Sequence, residues 1–504
     1  MRAEVSIESP HRENQSLPQQ RFGRKGARLF AAVLLAASGL LHAATSELPD
    51  IGDTSATTLS PEQEARIGKQ MMRSLRRNKL INDDTALNQY IQNLGHRLSA
   101  YSGADHQSFT FFIVNDPAIN AFAMPGGYVG VNAGLIVASD SENELASVLA
   151  HEISHVTQHH LARSYEKANK MNLPMTAAVI AAILLGSHDP QAGEAALMAS
   201  LAGSAQMQLD FTRANEQEAD RVGIQLLAQA GFDPRGMSSF FQRLQKETRY
   251  YGSGLPEFLS THPVTTNRIA EAEDRESQYP PVTVHDSENY HTTKAQLRLL
   301  MSRDIDDLIT RTKANIGKGR YSNLAEEQFT LALALRERGK YPEARALLQT
   351  LMKQAPGRIA YVHALAQTES LAGNTEEALK LYRRGLDLYP GNIELTLSYA
   401  KTLIQANQAD TAVDMMQKFT HAHSDMPEGY KLLADAQSSA GHEAFSHAAY
   451  AEYYALCDEF HSAIDQLNLA LLVKDKDFYQ TSSIEARLTQ LKQLEKQQKL
   501  DSME

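Results

Sequence analysis

The sequence predicts two structured parts: an α+β domain that is mainly helical, followed by an all-α array of repeats. Three observations lead to this prediction. Short β-rich runs alternate with helical segments between about residues 59 and 281, the chain from about residue 293 onward has a helical pattern, and that part repeats with a fixed period. At 504 residues the chain is also too long for one ordinary core, so two or more domains are expected.

The composition is that of a folded protein, and it narrows the choice of partners. Hydrophobic residues make up 42% of the chain and charged residues 22%, as in globular proteins. The net charge of −11 argues against nucleic acid as a partner, and mildly against an anionic membrane surface. The single cysteine, Cys457, excludes an intramolecular disulfide, and its Ala- and Tyr-rich surroundings predict a buried apolar role.

The N-terminus has the layout of a secretory signal. Basic residues from Arg21 onward precede a thirteen-residue apolar run, Leu29–Leu41, and two alanines follow shortly after it. A run of this length is short for a membrane-spanning helix. Residues 1–43 are therefore predicted to be a signal peptide, with an uncleaved anchor as the alternative.

Between the signal and residue 290, capping and turn residues mark the first elements. Ser60 followed by Pro61 is typical of a helix N-terminus, and this helix is expected to run to about Arg77. Phe109–Val114 is a short β-rich run, and Pro125–Gly127 separates two apolar runs as the turn of a hairpin. Such a hairpin could offer an edge strand to an extended peptide.

The last part of the chain repeats every 34 residues. Gly339–Pro356 aligns with Gly373–Pro390 at this offset, with glycine, alanine and the closing proline in register, and Asn407 continues the series. This pattern resembles the tetratricopeptide (TPR) repeat, a helix–turn–helix unit that stacks into a solenoid with a concave binding surface. Residues 291–504 are thus predicted to form an all-α TPR solenoid that becomes atypical past Gly441.

The candidate chemistry lies on a helix that opens with a capping-box pattern, Ser141–Glu144. Within it, the stretch VLAHEISHVTQHH, Val148–His160, holds four histidines and one glutamate. His151 and His155 stand four residues apart, so on a helix they lie on one side, one turn from each other. Their imidazoles can bind one Zn²⁺ ion while Glu152 takes a proton from water, which is the His-Glu-x-x-His pattern of metallopeptidases.

A catalytic zinc site needs a third protein ligand. The metzincin pattern would place a histidine where this chain has Leu161, so that alternative fails. A second predicted helix carries Glu216 and Asp220 four residues apart, where the first can bind zinc and the second can accept the N–H of a zinc-bound histidine. His159 and His160 are predicted to be surface residues, with an adventitious metal contact as the minor alternative, and Glu218 is predicted to be a solvated or structural carboxylate outside the ligand set.

These motifs together resemble a known family. His151–His155 followed by Asn215–Asp220 is similar to the paired motifs of the HtpX and CaaX-protease group of gluzincin metalloproteases, and Ser260–Ile269 matches that group's Thr-His-Pro…Arg-Ile element. The predicted fold class is then an α+β, mainly α, zinc metalloprotease domain over residues 44–290, followed by the all-α TPR solenoid.

The resemblance implies a role for each matched residue. The ligands of one Zn²⁺ ion per chain would be His151, His155 and Glu216. Glu152 would be the general base, and Asp220 the hydrogen-bond partner of a ligand histidine. His262 would approach the metal. It would either close the open position of the metal in a latent state or help to hold the transition state. The alternative is that His262 is a plain turn histidine before Pro263. Arg268 matches the arginine that accompanies it.

Signal, metal site and repeats together resemble the periplasmic proteases that attend β-barrel assembly in Gram-negative outer membranes. The resemblance implies a zinc endopeptidase that takes unfolded or stalled outer-membrane proteins as substrates and docks on the β-barrel assembly machinery through its repeats. Two alternatives stay open: a latent or non-proteolytic assembly factor that acts through its TPR surface, and a zinc carrier. The apolar stretch Met175–Gly186 is too short to span a bilayer. A helix near the cleft mouth with peripheral membrane contact is the hypothesis for it, with a core helix and a mobile segment over the active site as alternatives.

Overall fold

The structure is a computed structural model that describes residues 60–104, 107–164, 166, 212–251, 257–474 and 478–501. The predicted signal peptide and the apolar stretch Met175–Gly186 lie outside the described residues. Among the residues that are described, no helix has the length and apolar character needed to cross a membrane.

The first helix, α1 (Pro61–Arg77), begins and ends where the sequence predicts. The Ser60 side chain accepts the N–H of Gln63, and the Gln63 side chain accepts the N–H of Ser60, so two amides at the helix start are satisfied reciprocally. The next helix, α2 (Thr85–Ser99), is capped by Asp84, whose carboxylate accepts two backbone N–H groups of its first turn.

A small mixed sheet follows, made of β1 (Thr110–Val114), β2 (Ala121–Met124) and β3 (Tyr128–Asn132) in the order β1–β3–β2. β2 and β3 form the predicted antiparallel hairpin. Gly126 and Gly127 make its turn with φ angles of 77° and 80°, a left-handed backbone that favours glycine. Because β1 pairs in parallel with β3, β2 lies at an edge of this sheet.

A group of helices packs on the sheet and carries the candidate site. It consists of α3 (Ala133–Ala138), α4 (Glu142–Thr157), α5 (residues 212–229), α6 (Gly236–Tyr251), α7 (Glu257–Thr261) and α8 (Thr266–Glu276). One apolar cluster joins α2, the sheet and these helices, with almost fully buried members such as Ile91, Phe111, Leu149, Leu227 and Phe240. α4 is buried along most of its length, so it forms the centre of this domain.

Only half of the capping box predicted for α4 is present. Ser141 Oγ accepts the N–H of Glu144 at 3.3 Å, as expected. The Glu144 carboxylate does not reach back to Ser141; it accepts the N–H of Asp140 and pairs with Arg243 on α6 at 2.7 Å. A guanidinium binds a buried carboxylate more strongly than a neutral amide does, so the tertiary contact prevails over the local one.

The remaining helices form the predicted repeats. They are α9 (Glu288–Leu300), α10 (Ile305–Lys318), α11 (Leu324–Glu337), α12 (Tyr341–Gln354), α13 (Ile359–Leu371), α14 (Thr375–Leu388), α15 (Ile393–Gln405), α16 (Ala409–Ala422), α17 (Pro427–Ser439), α18 (Glu443–Leu456), α19 (Phe460–Leu472) and α20 (Phe478–Asp501). From α10 to α19 each helix packs against the next one in the chain. The predicted fold class is confirmed: a mainly helical domain with a small sheet, then helical repeats.

The 34-residue period is visible in the backbone. The turn positions Gly339, Gly373, Asn407 and Gly441 have φ angles of 73°, 81°, 57° and 80°. Asparagine replaces glycine once in this series because it tolerates the left-handed conformation better than most residues. The small residues Ala344, Ala378 and Ala412 are fully buried. Cys457, expected to be buried, is half-buried where α18 ends.

The repeats contact the first domain through several elements, among them α9, α15 and the loop after α18. α9 contributes Tyr290 to the apolar cluster of the first domain and Ala295 to the first cluster of the repeats, so the predicted boundary at residue 290 falls within a helix that serves both. Farther along, the Asp458 carboxylate accepts two hydrogen bonds from Arg73 on α1, at 2.7 and 3.0 Å. The described residues between 60 and 495 belong to one compact unit.

Glu326 on α11 should stabilise the junction with α9 in a pH-dependent way. Burial raises its pKa, but the hydrogen bond with His291 and the charge of Lys294 outweigh burial and lower the pKa below its ordinary value of 4.5. A carboxyl group whose pKa is lowered by folding stabilises the fold above its unfolded-state pKa, and loses this effect as the pH falls through the folded-state value. Glu326→Gln should therefore lower the free energy of unfolding by about 1–3 kcal/mol at pH 7.

Calorimetric unfolding of both proteins between pH 7 and pH 3 measures this effect. The difference in unfolding free energy should shrink as the pH falls below about 4, because the wild-type carboxyl group is then protonated. Glu343→Gln is the matched control, since Glu343 is a half-exposed partner of Lys313 and should contribute less than about 1 kcal/mol. A difference for Glu326→Gln that is equally large at pH 3 contradicts this account.

Candidate metal centre

α4 and α5 bring the first three predicted ligands together. The Nε2 atoms of His151 and His155 on α4 lie 3.0 Å apart. The two helices can approach closely because α5 has Gly223 at their crossing, where a Cβ atom would lie 3.3 Å from the backbone nitrogen of His151. Glu216 on α5 then places one carboxylate oxygen 3.4 Å from His151 Nε2 and the other 3.4 Å from His155 Nε2.

A fourth donor comes from the end of α7. His262 Nδ1 lies 3.0 Å from Glu216 Oε1 and 3.3 Å from His151 Nε2. Phe258 holds this segment in place, since its N–H donates to Ile119 O beside β2 and its ring packs on the His262 ring at a centroid distance of 4.8 Å. Ligand atoms of four residues therefore lie within 4.8 Å of one another: His151, His155, Glu216 and His262.

These atoms fit a tetrahedral metal ion. Zinc binds imidazole nitrogen and carboxylate oxygen at about 2.0–2.2 Å, so neighbouring ligand atoms of a tetrahedral site lie about 3.3–3.6 Å apart. Both histidine–Glu216 separations, 3.4 Å each, lie in this range, and the two Nε2 atoms, 3.0 Å apart, lie slightly closer together. Electron-rich atoms this close repel one another unless a cation or a proton lies between them. The donor set is therefore chemically suited to a divalent metal.

A buried aspartate and a buried arginine orient His151. Asp220 Oδ1 lies 2.9 Å from His151 Nδ1, on the side of the ring opposite the metal-facing nitrogen. Arg268 at the start of α8 donates two hydrogen bonds to the Asp220 carboxylate, at 2.7 and 2.8 Å. A further nitrogen of the same guanidinium lies 2.9 Å from Glu216 Oε2. Arg268 is thus the counter-charge for two buried carboxylates, which would otherwise be costly to bury.

The contacts set the charge of the centre. Burial lowers the pKa of His151, but hydrogen bonds with Asp220 and Glu216 outweigh burial and raise this pKa to about 10. Burial raises the pKa of Glu216, yet contacts with His262 and His151 bring it well below the ordinary value. The pKa of Asp220 is lowered against the effect of burial by His151 and Arg268. Both carboxylates are therefore ionised at neutral pH, as a divalent cation requires.

Glu152 lies beside the donor cluster without belonging to it. Its side chain is 1% exposed, and its Oε1 atom has no hydrogen-bond partner among the described residues. This oxygen lies 3.4 Å from His262 Nε2. A buried carboxylate oxygen without a partner is unfavourable, so such an oxygen calls for a polar ligand next to it. A water molecule or the nitrogen of a peptide bond would satisfy it.

One prediction about the neighbouring histidines is wrong. His159 is exposed, as expected, but His160 is buried, at 4% exposure. α4 ends at Thr157, His159 takes a left-handed conformation with a φ of 51°, and residues 160–164 continue as a new helical segment. This change of direction carries His160 back to α4, where its Nδ1 atom lies 2.9 Å from His155 Nδ1. Spacing along a single helix could not reveal this contact.

Glu218, predicted to be solvated or structural, is 29% exposed and lies on the other side of His160. Its Oε2 atom is 3.2 Å from His160 Nε2 and 2.9 Å from a guanidinium nitrogen of Arg163. Burial and the neighbouring His155 lower the pKa of His160 to about 4, so this ring is neutral at physiological pH. Glu218 thus contacts His160, which lies next to the donor cluster, but Glu218 itself is not part of that cluster.

Comparison with known proteins matches the two parts of the chain separately. Residues 85–276 match Peptidase family M48, and residues 328–357 and 371–436 match tetratricopeptide repeats. The M48 match contains all the residues of the donor cluster. Fold and site thus define a metallopeptidase with C-terminal TPR repeats, and the family implies a bound metal ion.

Individual proteins that match nearly the whole chain identify the family more closely. The chain is 36% identical over 471 residues to the beta-barrel assembly-enhancing protease of Escherichia coli (strain K12), covering 93% of this chain and 96% of that protein. It is 38% identical over 450 residues to a putative beta-barrel assembly-enhancing protease of Vibrio cholerae, covering 88% and 92%. Mitochondrial metalloendopeptidase OMA1 of Schizosaccharomyces pombe is 31% identical over 220 residues, 42% of this chain and 58% of that protein. The chain therefore belongs to the beta-barrel assembly-enhancing protease family, and it is a metalloendopeptidase.

Proposed function

We propose that this protein is a zinc-dependent endopeptidase of the periplasm that degrades misfolded or stalled outer-membrane proteins and assists β-barrel assembly. The observation that carries the proposal is the buried donor cluster with Glu152 beside it, whose Oε1 atom has no hydrogen-bond partner among the described residues. The two bacterial relatives supply the biological setting, since they come from Gram-negative bacteria and their name joins proteolysis to β-barrel assembly.

His151, His155 and Glu216 hold the metal, one Zn²⁺ ion per chain. Two imidazoles and one carboxylate are a ligand set typical of catalytic zinc, which has three protein ligands and one open position. When bound, zinc lowers the pKa of water and polarises the carbonyl of the peptide bond to be cleaved.

The other site residues move protons or hold the ligands. Glu152 accepts a proton from the attacking water and delivers it to the departing amine nitrogen. Asp220 accepts the Nδ1–H of His151, so Nε2 is the nitrogen whose proton the metal would displace on binding. Arg268 keeps Asp220 and Glu216 ionised and in position through its three contacts with their oxygens.

His262 closes the fourth position of the metal in a latent state. Its Nδ1 atom lies 3.3 Å from His151 Nε2, the separation of neighbouring tetrahedral ligands, and 3.0 Å from Glu216 Oε1, which supports this role over that of a plain turn histidine. The same contact favours a second candidate function, an assembly factor that acts through its TPR surface while the protease is latent. A zinc carrier finds no support, because ligands this deeply buried suit retention of the metal.

The substrate enters as an extended strand. β2 lies at an edge of the sheet and packs beside α4, so a peptide paired with β2 would run past the metal ligands. Pairing of this kind uses backbone hydrogen bonds and thus selects unpaired, extended chain more than a particular sequence. Unfolded outer-membrane proteins, whose β-strands have not yet paired, meet this requirement, and the TPR repeats dock the protein on the β-barrel assembly machinery.

Removal of the metal should abolish cleavage, and zinc should restore it. The purified protein is dialysed against a strong chelator and then incubated with an unfolded outer-membrane β-barrel protein, whose fragments are followed by gel electrophoresis. We expect cleavage to disappear and to return when about one Zn²⁺ ion per chain, measured by plasma mass spectrometry, has been added back. Mg²⁺ is the control and should restore nothing, since it prefers oxygen ligands. Undiminished cleavage by metal-free protein contradicts the proposal.

A further inference from the structure

We propose that His160 is a positioning residue of the metal centre, which holds His155 in the tautomer that presents Nε2 to the metal. The inference rests on the proposed role of His155 as a metal ligand. Its basis is a chain of contacts from His155 Nδ1 to His160 Nδ1 at 2.9 Å, from His160 Nε2 to Glu218 Oε2 at 3.2 Å, and from Glu218 to Arg163 at 2.9 Å.

The chain of contacts determines which nitrogen of each ring carries a proton. An ionised carboxylate can only accept hydrogen bonds, so Glu218 requires the proton of His160 to be on Nε2. A neutral imidazole protonated at Nε2 is an acceptor at Nδ1, and this acceptor faces His155 Nδ1. His155 must then carry its own proton on Nδ1. Its Nε2 atom is left with a free lone pair, and this is the atom that lies among the donors of the cluster.

His160 is buried and its segment is held in place, so other groups do not readily replace its hydrogen bonds. The ring is 4% exposed, so bulk water does not take over its hydrogen bonds. Arg163 fixes the segment that carries it, because one guanidinium nitrogen donates both to Glu218 and to the backbone oxygen of Gln158 where α4 ends. Ser164 Oγ donates to the His160 backbone oxygen at 2.7 Å, which ties the next turn to the same residue.

The two metal-binding histidines are thus held by different partners. His151 has a carboxylate, Asp220, at its Nδ1 atom, whereas His155 has a neutral imidazole. A carboxylate partner makes a ligand histidine more basic and adds negative charge beside the metal. The neutral partner of His155, His160, fixes the orientation of the His155 ring without adding charge. The negative charge of Glu218 contacts His160 and not His155.

The affinity for zinc tests the proposal independently of proteolysis. His160→Ala removes the acceptor, so His155 can place its proton on Nε2, and we expect zinc affinity to fall by about 10- to 100-fold in competition with a chromophoric chelator. His160→Asn puts an amide oxygen near the position of Nδ1 and should recover most of the affinity, which a merely structural effect of shortening the side chain would not produce. His159→Asn is the matched control: it removes the exposed neighbouring histidine, tolerates the left-handed backbone, and should bind zinc as the wild type does.

Glu218→Ala is the second variant, because Glu218 is partly exposed and its removal should leave the fold intact. Without this carboxylate the His160 proton is no longer fixed on Nε2, so affinity should fall severalfold, less than in His160→Ala. Unchanged zinc affinity in both His160→Ala and Glu218→Ala overturns the proposal, as does a His160→Asn variant that binds no better than His160→Ala. A wild-type protein that binds no zinc would instead overturn the proposed function, and this is measured first.

Discussion

Glu152→Gln is expected to reduce peptide hydrolysis by about 10²–10⁴-fold, the usual contribution of a general base, while the metal stays bound. Glutamine has nearly the size of glutamate, so it fills the same buried space, but its amide cannot take a proton from water. The glutamate lies outside the donor cluster, and no proposed ligand is lost in the variant. Cleavage of an unfolded β-barrel protein and metal content by plasma mass spectrometry are measured on the same preparation.

Glu271→Gln provides the matched control for this variant. Glu271 also lies in the first domain, on α8, but its side chain is 39% exposed and pairs with Arg275, so its loss should leave cleavage unchanged. Glu152→Gln with wild-type cleavage would disprove the role of this residue as general base. A variant that loses both cleavage and metal would show that Glu152 is a ligand instead.

His262→Ala is expected to increase the initial rate of cleavage by about tenfold, because removal of the residue opens the fourth position of the metal permanently. In the structure His262 Nδ1 lies 3.0 Å from Glu216 Oε1 and 3.3 Å from His151 Nε2, which is the placement that the proposed latent state requires. Three ligands remain in the variant, and zinc content should stay at about one ion per chain. Initial rates with the same unfolded substrate, at equal zinc content, give the measurement.

A decrease in the rate of cleavage by His262→Ala would distinguish a catalytic role of His262 from a latent one. If cleavage falls while zinc is retained, this histidine helps to hold the transition state and latency is excluded. His285→Ala serves as control, since His285 is an exposed histidine in the segment before α9 and should not affect the rate. Thermal unfolding of both variants shows whether a change in rate reflects the site or the fold.

Much of the site could be predicted because it depends on spacing along single helices. The four-residue steps from His151 to His155 and from Glu216 to Asp220 place each pair on one face of a helix, whatever the rest of the fold does. The turn residues of the repeats are equally local, and positive φ at Gly339 and its equivalents follows from the sequence pattern. Even the hairpin at Pro125–Gly127 needs only the glycines that its turn requires.

Contacts between side chains of different helices could not be predicted from spacing along the sequence. Ser141 and Glu144 have a capping-box pattern, but Arg243, 99 residues after Glu144, takes the carboxylate. His160 follows the metal helix in sequence, and no spacing rule shows that a single left-handed residue, His159, would return it to His155. Arg268 could be matched to a family element, but its simultaneous contacts with Asp220 and Glu216 exist only where α5 and α8 meet.

The sequence by itself thus determined the kind of protein: a His-Glu-x-x-His helix, a second helix with a glutamate ligand, and a repeat array behind them. These follow from periodicity, which backbone geometry imposes within about one helical turn. Only the tertiary structure decided which charges surround the candidate ligands, which histidine faces His155 and which one joins the donor cluster from α7. Those outcomes depend on how buried groups find partners across the core, and burial is a property of the whole fold.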